Sequence, residues 1–189
     1  MAADATRERA TYADVLAQPE HVVAEIVSGV LHTMPRPRLR HARAASALGA
    51  DLAGPFDRGR GGPGGWLILD EPELHLGAGP DILVPDLAAW RRERIPEMPD
   101  TAYATQPPDW ICEVLSPSTP DYDRADKLPV YARERVAHVW LVDPDLTTLE
   151  LLRLDGETYR LMHTWRGDVV VRAEPFDAVE LELAALWAR

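Results

Sequence analysis

The chain has 189 residues, 46% hydrophobic and 27% charged, a composition ordinary for a soluble domain large enough to bury a core. Its 20 Lys and Arg against 31 Asp and Glu give a formal charge of −11, which argues against a broad nucleic-acid footprint, since neutralising phosphates takes many basic contacts. No run approaches the roughly 20 apolar residues of a membrane helix, and the first residues lack the apolar centre of a signal peptide. The one cysteine excludes an internal disulfide, so a cytoplasmic location is expected.

Residues 1–10 read as a flexible N-terminus and residues 11–189 as a single domain. Thr11 with Asp14 three residues on predicts a short helix ending near Pro19. His21 to Met34 reads as a β-hairpin turning at Gly29; an acid in its first strand, Glu25, ordinarily points at solvent. Alanine and leucine dominate from Leu39 to about Phe56, a helix, and residues 57–65 form a glycine-rich loop without the spacing of a phosphate-binding loop. Trp66–Leu69 begins a strand that Glu73–Leu76 continues or pairs with. Ile82 to Trp90 reads as the next strand, carrying Asp86, and residues 91–108 as a long polar loop suited to a lid or binding role.

Trp110 to Leu115 reads as a buried strand with one carboxylate, Glu113, among Ile111, Cys112, Val114 and Leu115. A charge there is expensive unless paired, protonated or metal-bound. A helix carrying Asp123, Lys127 and Tyr131 on one face follows, with Pro129 predicting a kink or a loose turn. Ala137–Asp143 is a clear strand. Leu149–Leu154 and Tyr159–Trp165 flank the turn Asp155-Gly156, and later strands complete an antiparallel C-terminal meander. The sum is an α/β or α+β domain, a central mixed β-sheet flanked by helices.

Two strand-borne acids, Asp86 and Glu113, with Lys127 nearby suggest a metal site for phosphodiester chemistry. A divalent ion between carboxylates neutralises phosphoryl charge and makes hydroxide near neutral pH, while a lysine orients or deprotonates the water. The bland readings stay open: a turn aspartate after Pro85, a glutamate paired with an arginine at the sheet edge, and a surface lysine paired with Asp123. Asp81, in a Gly/Pro turn, is assigned to structure. The six histidines show no zinc spacing, so a metal would be a hard ion held by oxygen. Ser116 and Ser118 lack the hydrolase elbow. Arg36, Arg38, Arg40 and Arg43 cluster with His41, as a phosphate patch or as solvated surface.

Glu25-Ile-Val-Ser-Gly-Val-Leu, His41, Val84-Pro-Asp-Leu, Glu113-Val-Leu-Ser-Pro-Ser-Thr, Tyr122-Asp-Arg-Ala-Asp-Lys-Leu and Val139-Trp-Leu-Val-Asp-Pro together resemble the Uma2 (Uma-two) family. These are restriction-endonuclease-like proteins of the PD-(D/E)xK nuclease superfamily. The resemblance spans roughly Tyr12 to Leu154. It implies a restriction-endonuclease-like core, with Mg2+ or Mn2+ held by Asp86 and Glu113. Position 115 is Leu, where the superfamily lysine would stand two residues after the acid; Lys127 looks like its replacement, migrated to the following helix. Glu25 and His41 match family positions and are expected to line the cleft, with Arg38 and Arg40 meeting substrate phosphate. Pro129 departs from the family's more helical sequence.

The expected activity is a metal-dependent endonuclease-like hydrolysis of phosphodiesters, with nucleic acid, DNA favoured, as partner and no membrane role. The alternative is a non-catalytic nucleic-acid- or protein-binding regulator that keeps the fold. Exposed antiparallel strands near the C-terminus are compatible with a homodimer.

Overall fold

The computed structural model describes residues 9–117 and 120–188. The N-terminal segment expected to be flexible lies mostly outside them, as does Ser118. A six-stranded sheet runs in the order β10 (Thr158–Arg166), β9 (Thr148–Asp155), β8 (His138–Asp143), β7 (Trp110–Val114), β6 (Leu87–Arg91), β3 (Trp66–Asp70). All neighbours are antiparallel except β7 and β8, which are parallel. That parallel pair requires a crossover, and the helical segment bearing Lys127 supplies it. All five residues of β7 are buried, as expected of a strand covered on both faces.

One face of the sheet carries helix α2 (Leu39–Leu52), which continues through a π-helical turn (Ala53–Asp57). Ala44, Leu48, Leu52 and Phe56 meet Trp110, Cys112, Trp140 and Val142 there. The small alanines let the helix lie close to the strands. Gly49 shows how close: a Cβ on it would stand 2.9 Å from the Asp70 carboxylate and 3.3 Å from Leu87. The same face takes the C-terminal hairpin β11 (Val170–Val171)–β12 (Leu181–Glu182) and helix α5 (Ala184–Trp187).

Ile111, Val139 and Leu141 face the other side, against a second sheet and the crossover helix. That sheet has four strands, β2 (Val30–Pro35), β1 (Val22–Val27), β5 (Asp81–Leu83) and β4 (Leu74–Leu76), all antiparallel. Short helix α1 (Tyr12–Leu16), closed by the predicted Thr11–Asp14 capping box, precedes it.

Three expectations need correction. Ile82–Trp90 is not one strand: β5 and β6 belong to different sheets, and the chain changes sheet at Val84-Pro85-Asp86. Pro85 has no N–H for a ladder, and Val84 N donates instead to Glu25 Oε1 at 2.7 Å. The C-terminal strands do not extend one meander, because β11 and β12 form their own two-stranded sheet after the chain leaves β10. Glu25 does not face solvent: β1 pairs with β2 on one side and β5 on the other, and the side chain is 0% exposed.

Candidate active site

The crossover after β7 is a continuous helical segment: α3 (Pro120–Tyr122), a π-helical turn (Asp123–Lys127) and α4 (Leu128–Arg133). Pro129 lies in the first turn of α4. A proline there cannot complete the bond back to the preceding turn, and the wider π turn absorbs the mismatch. The segment before Pro129 is therefore helical rather than the loose turn, with the disturbance taken up as a π-helical turn, and Asp123, Lys127 and Tyr131 all come to lie buried.

Lys127 Nζ lies 3.1 Å from Glu25 Oε1, 3.3 Å from Glu113 Oε2 and 3.4 Å from Asp123 Oδ1. Glu113, 2% exposed, shares the face of Ile111 and so points at the crossover helix. Tyr131 donates its hydroxyl to Glu113 Oε1 at 2.5 Å. Asp86 and Glu113 stand one step beyond the Leu87–Cys112 register pair of β6 and β7, so the neighbouring-strand geometry expected for them is realised. Asp86 Oδ2 accepts from Val114 N at 2.7 Å, while Oδ1 faces His41 Nε2 at 3.3 Å. His41, on the first turn of α2, has its Nδ1 buried without a completed hydrogen bond.

The electrostatics follow from four carboxylates and one lysine. Burial pushes Glu113 well above the ordinary carboxylate range; Lys127 pulls it back, but Asp123, Asp86 and Glu25 add to the rise. Burial likewise raises Asp123 against the pull of Lys127. For Lys127 burial acts downward, yet Glu113, Glu25 and Asp123 outweigh it and hold the ammonium well above its usual value. Lysine and carboxylates move in the same direction because several acids share one cation: the lysine is held toward its protonated form, and the acids are pushed toward theirs. Burial also lowers His41, but its hydrogen bond to Asp86 and that residue's charge prevail, leaving it raised.

These residues floor a cavity of about 560 Å³. Arg38 lines it, whereas Arg40 is exposed, paired with Asp145 at 3.2 Å and outside the lining. Its rim is mixed, with Arg36 and Arg38 beside Glu20, Glu71 and Glu73. Asp81 is a structural buried acid, accepting from Ser28 N at 2.5 Å and pairing with Arg133 at 2.9 Å.

The donor set suits a hard divalent ion. It offers carboxyl oxygens, three of whose groups share one lysine, and a buried Glu25 Oε2 without a hydrogen-bond partner. Among the described residues no three His, Cys, Asp or Glu side chains are preset as a metal-holding group; Lys127 is engaged with three of the acids instead. Tyr131 as donor to Glu113 is visible in sequence only as a face-mate of Lys127. Glu25 lines the cavity, as the resemblance implies, but its burial depends on β5, whose pairing leaves no local signal.

A mixed six-stranded sheet with its acids at one end of a β6–β7 pair, and a lysine on the crossover helix, defines a restriction-endonuclease-like fold. A crystal structure of a DUF820 protein from Anabaena variabilis, described as a "putative nuclease", matches with a TM-score of 0.75 at 22% identity, over 95% of this chain and 98% of that one. The sequence profile of Uma2, described as "Putative restriction endonuclease", matches residues 10–185; the chain belongs to the Uma2 family. No curated protein matches the sequence. Among the described residues, no helix is long and apolar enough to cross a membrane.

Proposed function

We propose that this protein hydrolyses phosphodiester bonds of nucleic acid, with a magnesium-type ion held by Asp86 and Glu113. The observation that carries the reading is the convergence of Glu25, Glu113 and Asp123 on Lys127 within 3.4 Å, with Asp86 beside them, at the floor of a solvent-reaching cavity. Membership of the Uma2 family supports it. When bound, the ion would supply charge neutralisation at the phosphoryl group and a water of lowered pKa. Lys127 keeps its proton among these acids, so its part is to orient the water and meet developing negative charge rather than to remove a proton. Asp123 and Tyr131 hold Lys127 and Glu113 in place, and His41 fixes the orientation of Asp86. Arg38, at the rim, meets a substrate phosphate.

A second reading has one observation in its favour. Both Glu113 oxygens are already taken, by Tyr131 and Lys127, which would suit a binding protein that keeps the fold without the chemistry. Calorimetric titration of Mn2+ separates the two. The nuclease reading expects saturable binding to the parent, weakened at least about tenfold in Glu113→Ala, since losing even an outer-shell partner of a metal ligand costs about that much. Equal binding by both proteins, or none by the parent, would remove it.

A further inference from the structure

The cavity has an apolar side that the hydrolytic chemistry does not use. Val15 and Leu16 of α1, Val23 of β1, and its register partner Met34 of β2 are the apolar residues on one side of its lining. Leu16 stands 67% exposed. Arg36 and Arg38 lie on the stretch leading into α2. Among the described residues, Arg36 donates only to the Glu20 carbonyl and Arg38 makes no ion pair. At the bottom Glu25, Glu113 and Lys127 are 0%, 2% and 4% exposed.

A phosphodiester reaching those side chains must descend below the surface, and its flanking nucleotide must descend with it. A cavity of about 560 Å³ is of small-ligand size, not a groove across which a duplex lies. A base in the stack of a duplex would have to be extruded, which costs unpairing and unstacking; an unpaired base does not. The aliphatic wall, which has no aromatic ring, offers that base van der Waals contact in place of its stacking neighbours. The charge agrees. Two lining arginines in a cavity also lined by Glu20, Glu71 and Glu73, on a chain of net charge −11, serve few phosphates, where duplex binding rests on many.

We infer that the substrate is an unpaired polynucleotide, a single strand or a frayed end, with one base against the α1–β1–β2 wall and its phosphates on Arg36 and Arg38. This rests on the nuclease reading above and narrows it. The test is Mn2+-supported hydrolysis by the parent of one sequence offered as single-stranded DNA, single-stranded RNA and blunt duplex, over a range of salt concentrations, beside Leu16→Glu. The inference expects an unpaired strand to be cut at least about tenfold more efficiently than the duplex. It expects a salt slope of log kcat/KM of roughly −1.4, from two phosphates on a single strand, and a raised KM for that strand in Leu16→Glu, an exposed position whose replacement leaves the fold intact. The DNA and RNA arms show which sugar is accepted. A duplex cut as well as the single strand, or a Leu16→Glu variant with the parent's KM, overturns the inference and leaves the nuclease reading standing. No hydrolysis of any of the three overturns both.

Discussion

Replacing Lys127 with methionine keeps the aliphatic stem but removes the one cation among Glu25, Glu113 and Asp123. At separations of 3.1–3.4 Å each attraction is about 5 kcal/mol at an effective dielectric constant of about 20, and the burial of the lysine offsets most of the sum. Removing one partner of a buried ion pair costs about 3–5 kcal/mol net, because it strands charge. For a chain of this size that is a fall in melting temperature of roughly 6–20 °C. The pH dependence has a definite sign. Glu113 and Asp123 are raised in the folded protein, so their charged forms oppose folding. The penalty in Lys127→Met is therefore largest above their folded pKa values and shrinks as falling pH protonates them. Thermal unfolding followed by circular dichroism at about pH 7 and about pH 5 measures this. A variant within about 0.5 kcal/mol of the parent near pH 7, the spread of an ordinary surface change, would refute the claim that these acids depend on one buried cation.

Three other outcomes follow from the same geometry. His41 is raised in the fold, so the stability it draws from Asp86 is present below its unfolded value of about 6.5 and lost as pH rises through the folded value; urea unfolding of His41→Gln against the parent should diverge at acid pH and converge at alkaline pH. Phe176 lies 4.8 Å from Phe56 and Trp66, 5.0 Å from Trp110 and 5.7 Å from Trp140, so Phe176→Ala should cost about 3–5 kcal/mol in chemical denaturation. Gly49→Ala should fail to deliver the roughly 0.8–1.0 kcal/mol gain of alanine in a helix, since its Cβ meets Asp70 and Leu87; a variant more stable by that full amount would show the contact yields.

What the sequence made legible was local. Glu113 announced itself as a charge in an apolar strand, and Asp123, Lys127 and Tyr131 as one helical face, because both patterns are short-range periodicities. The capping box of α1 and the Asp155-Gly156 hairpin were equally local. What the sequence hid was assembly. Nothing near Glu25 shows that β5 will cover it. The run from Ile82 to Trp90 looks like one strand, and only the missing N–H of Pro85 hints that the chain changes sheet there. Pro129 pointed to a disturbance in the helix, but whether it would break, kink or widen depended on packing against the sheet. Arg40 and Arg38 looked alike in sequence; an aspartate after β8, Asp145, took one out of the cavity's lining.

The account stands or falls on whether this site cuts phosphodiesters with a metal. Single- and double-stranded DNA and RNA incubated with Mg2+ or Mn2+, beside Glu113→Ala and Lys127→Ala, test it. The account predicts cleavage that needs the metal and is lost in both variants. Lys127→Ala must first be shown to remain folded at the assay temperature. Cleavage that survives either substitution in a folded variant, or a parent that binds the metal and cuts none of the four substrates, would contradict it.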